Sequence, residues 1–241
     1  MLRVFNELWD GGFELPDLSD EEAHHLVRVR RVRPGEAVQV LNGRGHLGRG
    51  QIAQIEGSAV QIELDAIQRV DPPHPQVTLV VGLPKGKVFP SLLHRAVELG
   101  ASEIIPLLSD HSEITNQRGV SKQERWQSVL IEAVKQSGNP HLPHLHAPLS
   151  LDAALAHTEQ ADRIVLGLVS DVVPLQRLLP TLEADRVALF IGPEGDFSCA
   201  EYERLRAAGS LLASLGPLVL KVETAAIVAL GIVQLCRARL R

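Results

Sequence analysis

From Gln76 onward, short and wholly apolar runs alternate with longer stretches whose apolar residues recur every three or four positions. That alternation predicts parallel strands, buried on both faces, joined by helices. The runs at 77–81, 103–108, 163–169 and 186–191 read as the strands. The helices between them are one with Pro90 in its first turn that runs to 99, one opened by Ser121-Lys122-Gln123-Glu124 that reaches 137, and a short one near Leu175. Another is capped by Ser198 with Glu201 and stopped by Gly209. The last helix, from 224 to about 240, carries apolar residues on every side, which predicts that it is enclosed all round, in part by a second copy of the chain. The first 70 residues are patterned differently. Ser19-Asp20-Glu21-Glu22 opens a helix over 20–29, and short β-rich segments at 37–41, 50–55 and 60–64 are separated by glycine turns, which suggests a small barrel. Three prolines in Asp71-Pro72-Pro73-His74-Pro75 suit neither helix nor central strand and mark a linker. The expected organisation is a β-barrel over 1–71 and an open α/β domain over 76–241.

Composition narrows this picture. The 241-residue chain is 45% hydrophobic with only 3% aromatics, so its core is aliphatic. No apolar run approaches the ~20 residues of a membrane helix, and the first residues lack a signal-peptide pattern, so a soluble cytosolic protein is expected. The two cysteines, Cys199 and Cys236, have no metal-ligand spacing. A net charge of −5 excludes a protein coated in nucleic acid but allows a local basic patch. His24, His25, Arg28, Arg30, Arg31 and Arg33 form such a patch, suited to phosphates, and Lys85 and Lys87 add positive charge after a strand end.

Two lures are set aside by context. Gly43-Arg44-Gly45-His46-Leu47-Gly48 spells the dinucleotide fingerprint, but that motif must open a helix, and a strand follows here. His141, His144 and His146 lie in a proline-punctuated loop without cysteine or carboxylate at ligand spacing, so no metal is expected.

The richest signal is a pair of glycine turns. Ile191-Gly192-Pro193-Glu194-Gly195-Asp196-Phe197-Ser198 leaves a strand and opens a helix; Leu215-Gly216-Pro217-Leu218 feeds the Glu223-Thr224-Ala225 helix start. Glycine permits close approach and proline stiffens each turn, so two such loops side by side offer main-chain donors and acceptors to a flat polar heterocycle. Strand ends are also where open α/β sheets bind ligands. Glu194 and Glu223 are read as shaping these loops, a valine at Gly195 as crowding them, and no hydrolase triad surrounds Ser137 or Ser198.

With these residues in place, the chain resembles the RsmE family, the small-subunit (16S) ribosomal RNA uridine-N3 methyltransferases of the SPOUT class. The resemblance runs through His24-His25-Leu26-Val27-Arg28-Val29, Lys85-Gly86-Lys87, Glu98-Leu99-Gly100, Glu124-Arg125-Trp126, Glu132-Ala133 with Gln136-Ser137, Gly192 to Gly195, and Leu215-Gly216 through Glu223-Thr224-Ala225. It implies a PUA-like RNA-binding barrel, a C-terminal domain with a trefoil knot, a homodimer, and S-adenosylmethionine bound in the knot. Cofactor contacts carry over to Leu168, Gly192, Glu194, Gly195, Leu215, Gly216, Leu218 and Leu220, and the partner implied is ribosomal RNA or the small subunit. Gly138, Lys221 and Asp110-His111-Ser112 stand where the family generally has arginines. Those departures keep open a related methyltransferase with a transfer RNA target, and a non-catalytic RNA-binding or ribosome-assembly module.

Overall fold

The computed structural model describes residues 1–84, 88–112 and 121–237. Its packing divides into two units: residues Met1–Pro72 with Ile131–Leu142, and Pro73–Leu130 with the chain from Pro143 onward. Among the described residues, no helix is long and apolar enough to cross a membrane.

The first unit is built on a four-stranded sheet of β1 (Leu2–Phe5), β2 (Ala37–Leu41), β3 (His46–Glu56) and β4 (Ala59–Arg69), in that order. β1 and β2 run parallel and the remaining pairs antiparallel. The β3–β4 register shifts at Arg49/Gly50. A Cβ on Gly50 would lie 1.9 Å from the Glu63 carbonyl oxygen, so only glycine allows this approach. Val4, Trp9, Leu26, Val38, Val40, Ile52 and Leu64 are buried together as the core.

The predicted helix over 20–29 changes type midway. α1 (Asp20–His24) passes into a π-helical stretch, His25–Arg30, closed by Arg31 in the left-handed region at φ 52°. Ser19 caps α1 by accepting from the Glu22 N–H, as the sequence pattern requires. The Glu22 carboxylate, however, is buried and paired with Lys135. Burial works to lower the Lys135 ammonium, but hydrogen bonds to Glu132 and Glu22 outweigh it and raise the group above its ordinary value. Lys135→Met strands the Glu22 charge in a nearly dry site, so a loss of about 3 kcal/mol is expected in urea unfolding of the full chain. An unchanged midpoint would show that the pair contributes nothing.

Residues 131–142 join this unit through main-chain contacts. The Gly45 N–H donates to the Pro140 carbonyl and the Leu142 N–H to the Gly43 carbonyl. Buried Asn42 organises the glycine turn by accepting from the N–H groups of Arg44 and His46. The fingerprint-like glycines thus serve a β-turn, and a strand, β3, follows them.

The second unit is an eight-stranded sheet. Its strands are β5 (Gln76–Gly82), β6 (Glu103–Leu108), β7 (His144–Leu145), β8 (Leu149–Ser150), β9 (Asp162–Leu166), β10 (Val173–Pro174), β11 (Arg186–Ile191) and β12 (Leu211–Ser214). The order is β10-β12-β9-β11-β5-β6-β7 with β8 also on β6, and every pairing is parallel. The helices are α2 (Val88–Glu98), α3 (Gln123–Ser137), which crosses from this unit into the first at residue 131, α4 (Leu151–His157), α5 (Leu175–Leu178), α6 (Cys199–Ala207) and α7 (Val222–Arg237). One face of the sheet buries Val80, Ile105, Val165, Ala188 and Phe190 against Leu151, Phe197, Tyr202 and Leu205. Helices α2 and α7 pack together, with α7 against β5 and β11. Such two-sided cover is why these strands are wholly apolar.

Among the described residues, the enclosure expected for the last helix is incomplete. Ala226, Ala229, Leu230 and Val233 are buried, whereas Val228 is 37% and Leu235 84% exposed. The sheet covers one stripe of a helix, and the opposite stripe stays open.

Candidate functional site

Three neighbouring parallel strands of the second unit end at the same level. Ile191 of β11 stands in register beside Leu166 of β9, and Leu166 beside Ala213 of β12. The two glycine turns therefore leave the sheet on either side of the 166–168 segment. They line one cleft of about 460 Å³ together with Val88, Gly167 and the first turn of α7. That size suits a small organic ligand. Leu168, Gly192, Glu194, Leu215, Gly216, Leu218 and Leu220 all line it, so the structure brings together seven of the residues carried over from sequence. Gly195 is not in the lining. A Cβ there would meet the His111 side chain at 3.1 Å, so a valine would press on His111 rather than fill the cleft.

The lining is aliphatic and main-chain in character, and its rim is apolar: Leu168, Leu218 and Val219 are 62%, 76% and 75% exposed. Lys221, Glu194, Asp196 and Glu223 supply its charge. Gly216 adopts φ +131°, a conformation that side chains rarely allow.

A residue the sequence reading missed ties the turns together. Asp196, at φ 58°, accepts from the Tyr202 hydroxyl at 2.8 Å and from the Leu168 N–H at 3.2 Å. Burial, then the hydrogen bond to Asp196, push the Tyr202 phenol far above its ordinary value, so it remains a donor. Gly167 is required beneath it, because a Cβ would fall 2.4 Å from the Tyr202 hydroxyl oxygen. The available signal was an aspartate directly after a glycine in a turn, a residue type that tolerates the left-handed region.

Glu201 does more than close its helix. The Ser198–Glu201 capping box is complete, and the same buried carboxylate also accepts from the Ser109 hydroxyl at 3.0 Å and the Asp110 N–H at 3.1 Å. This holds the Asp110-His111-Ser112 turn beside the 195–196 turn. His111 Nδ1 lies 2.9 Å from the Asp196 carbonyl, and that hydrogen bond raises the imidazole above its ordinary value.

In the first unit, His24, Arg28, Arg30, Arg31 and Arg33 are exposed and His25 is half-buried. Lys85 and Lys87 lie outside the described residues. A model of the RNA methyltransferase domain matches residues 72–234, and one of the RNA methyltransferase PUA domain matches 18–65. The chain belongs to the RNA methyltransferase family.

Relatives of this family named ribosomal RNA small subunit methyltransferase E are similar over most of the chain. The Synechocystis protein is 31% identical, with 89% of this chain and 71% of that protein aligned; the Bacillus subtilis protein is 28% identical over 96% and 95%. Among solved structures, a methyltransferase described as putative from Legionella pneumophila, in complex with the bound cofactor SAM, is 27% identical and superposes with a TM-score of 0.88 over 99% of both chains. A Neisseria gonorrhoeae relative at 24% identity shares the fold with a TM-score of 0.87 over 98% of both.

Gly138 and Lys221, where the resemblance leads one to expect arginines, have clear structural settings. Gly138 sits at φ +77°, and a Cβ there would lie 2.8 Å from the Arg3 guanidinium, which itself donates to the Lys135 and Gln136 carbonyls. Lys221 is exposed in the cleft lining. His141 belongs to the first unit, where its ring bonds to the Val70 carbonyl, while His144 and His146 pack edge to face in the second.

Proposed function

We propose that the protein is a S-adenosylmethionine-dependent methyltransferase acting on N3 of a uridine in small-subunit (16S) ribosomal RNA. One observation carries this reading: two glycine turns at adjacent parallel strand ends close on one cleft lined by main chain and aliphatic side chains. The cleft fits the cofactor. Gly216, where a Cβ would meet open space, leaves its wall bare, Gly167 and Gly192 allow the close turns that shape it against Tyr202 and the Asp196 backbone, and Leu168 and Leu218 offer apolar cover for a flat purine. Leu168, Gly192, Glu194, Leu215, Gly216, Leu218 and Leu220 hold adenine and ribose in this reading, with Gly195 keeping the turn against His111.

When bound, S-adenosylmethionine supplies an electrophilic methyl group on a sulfonium. The chain's own part is to orient the uracil and favour loss of its weakly acidic N3 proton. Lys221 at the cleft offers positive charge to the anionic base, and in-line positioning supplies much of the remaining acceleration. The N-terminal unit acts as the PUA-like barrel and grips RNA phosphates through His24, His25, Arg28, Arg30, Arg31 and Arg33, and Lys85 and Lys87 of the second unit offer RNA further positive charge. The C-terminal domain carries the trefoil knot. A second copy covers the open stripe of α7 in a homodimer, and the enzyme works in the cytoplasm during ribosome biogenesis.

The test is mass spectrometry of RNA from a strain lacking the gene. N3-methyluridine is expected to vanish from 16S ribosomal RNA and return with the wild-type gene; its unchanged persistence would contradict the proposal. Loss of a methyl group from transfer RNA instead would favour the related-methyltransferase reading.

A further inference from the structure

Glu103, His146 and His157 converge from three separate elements of the second unit. Glu103 opens β6, His146 follows β7, and His157 ends α4. Both imidazoles place Nε2 on the same carboxylate oxygen, at 2.9 Å from His146 and 2.7 Å from His157. The three donor atoms lie within 4.8 Å of one another, the one such His/Cys/Asp/Glu group among the described residues. His144, paired in register with Glu103 on the adjacent strand, packs its ring edge-on against His146 at 4.3 Å, and His146 packs against His157 at 4.5 Å. We propose that Glu103, His146 and His157 form a binding site for a divalent metal ion of the zinc type.

Two imidazole nitrogens and one carboxylate oxygen are a donor set for borderline ions, with a fourth tetrahedral position left to water. Tetrahedral ligands at zinc distances stand about 3.3 Å apart, so the two contacts to Glu103 need to open by only about half an ångström to admit an ion. The partial burial of His146 and Glu103, with side chains 16% and 28% exposed, limits competition from water while leaving an entry path past His157. On binding, each Nε2 proton is released or moves to Nδ1, freeing the lone pair for the ion.

The position argues for a role apart from methyl transfer. Glu103 is at the amino end of a parallel strand, whereas the cleft lies at the carboxyl ends, roughly 15–20 Å away along the strand direction. The ion would clasp β6 to α4 and to the loop after β7. No signal at fixed spacing could show this, because the carboxylate is 43 residues from His146.

The experiment uses the full chain with Cys199→Ser and Cys236→Ser, to remove exposed thiols, after chelator treatment. Zn2+ is titrated by calorimetry and thermal unfolding, and Co2+ by its visible spectrum. One equivalent of Zn2+ per chain is expected, with Tm raised by roughly 5–10 °C at a hundredfold excess over Kd. His157→Ala, at an exposed position, is expected to fold and to weaken binding by at least ~100-fold, and Glu103→Gln to weaken it while keeping the side chain's shape. Absence of saturable binding, or binding unchanged in both variants, would overturn the proposal; if His157→Ala fails to fold, Glu103→Gln decides.

Discussion

Gly167→Val is expected to fold yet lose at least ~100-fold in affinity for S-adenosylmethionine, or about 2.7 kcal/mol. The new Cβ would lie 2.4 Å from the Tyr202 hydroxyl oxygen and 3.1 Å from ring carbons, so the phenol must leave Asp196. Asp196 then loses the bond that orients it toward the Leu168 N–H, and both walls of the cleft lose their common anchor. A cost of this size is typical of a broken buried network. Tyr202→Phe removes only the hydroxyl, and a smaller loss of about 1 kcal/mol is expected. Calorimetry with S-adenosylmethionine, alongside circular dichroism to establish folding, reads both. A folded Gly167→Val chain with wild-type affinity would show that the Asp196 anchor does not shape the cofactor site.

The second large effect concerns RNA. Replacing Arg28, Arg30, Arg31 and Arg33 together with alanine removes four exposed cations from a chain whose net charge is −5. If each meets one phosphate, the slope of log K against log salt falls by about 3 for single-stranded RNA, at ~0.7 per contact. All four lie at or just beyond the π-helical stretch and are not buried, so folding should survive. Fluorescence anisotropy with a small-subunit ribosomal RNA fragment, at several salt concentrations, measures the slope. An unchanged slope would move the RNA surface elsewhere on the protein.

The legibility of the sequence followed the physics of each element. The strands at 103–108 and 186–191 have the predicted bounds because burial on both faces leaves an unbroken apolar run. β3 and β4 extend well beyond the predicted 50–55 and 60–64, since half-exposed strands interleave polar residues such as Gln51, Gln54 and Asp65 that blur their ends. The change to π-helix at His25 left no mark in apolar spacing, and Glu22 of the predicted capping box found a stronger partner in Lys135. The grouping of residues 131–142 with the first unit rests on contacts such as Gly45 to Pro140, which only tertiary structure supplies.

The cleft divides in the same way. Glycine and proline mark turns chemically, so the 192 and 216 bends were legible, and parallel order then placed them side by side. Gly167, Asp196 and Tyr202 were not, because their importance lies in one hydrogen-bonded network across two strand ends rather than in a motif. The packing of Gly195 against His111 is equally invisible to a motif, since it depends on where the 110–112 turn is held.

A crystal structure of the full chain with S-adenosylmethionine tests the central claim most directly. The account predicts the cofactor between the main chain of Gly192 to Glu194 and that of Leu215 to Leu220, its purine covered by Leu168 and Leu218. A cofactor seated anywhere else, or no cofactor in crystals that leave this cleft open, would contradict it.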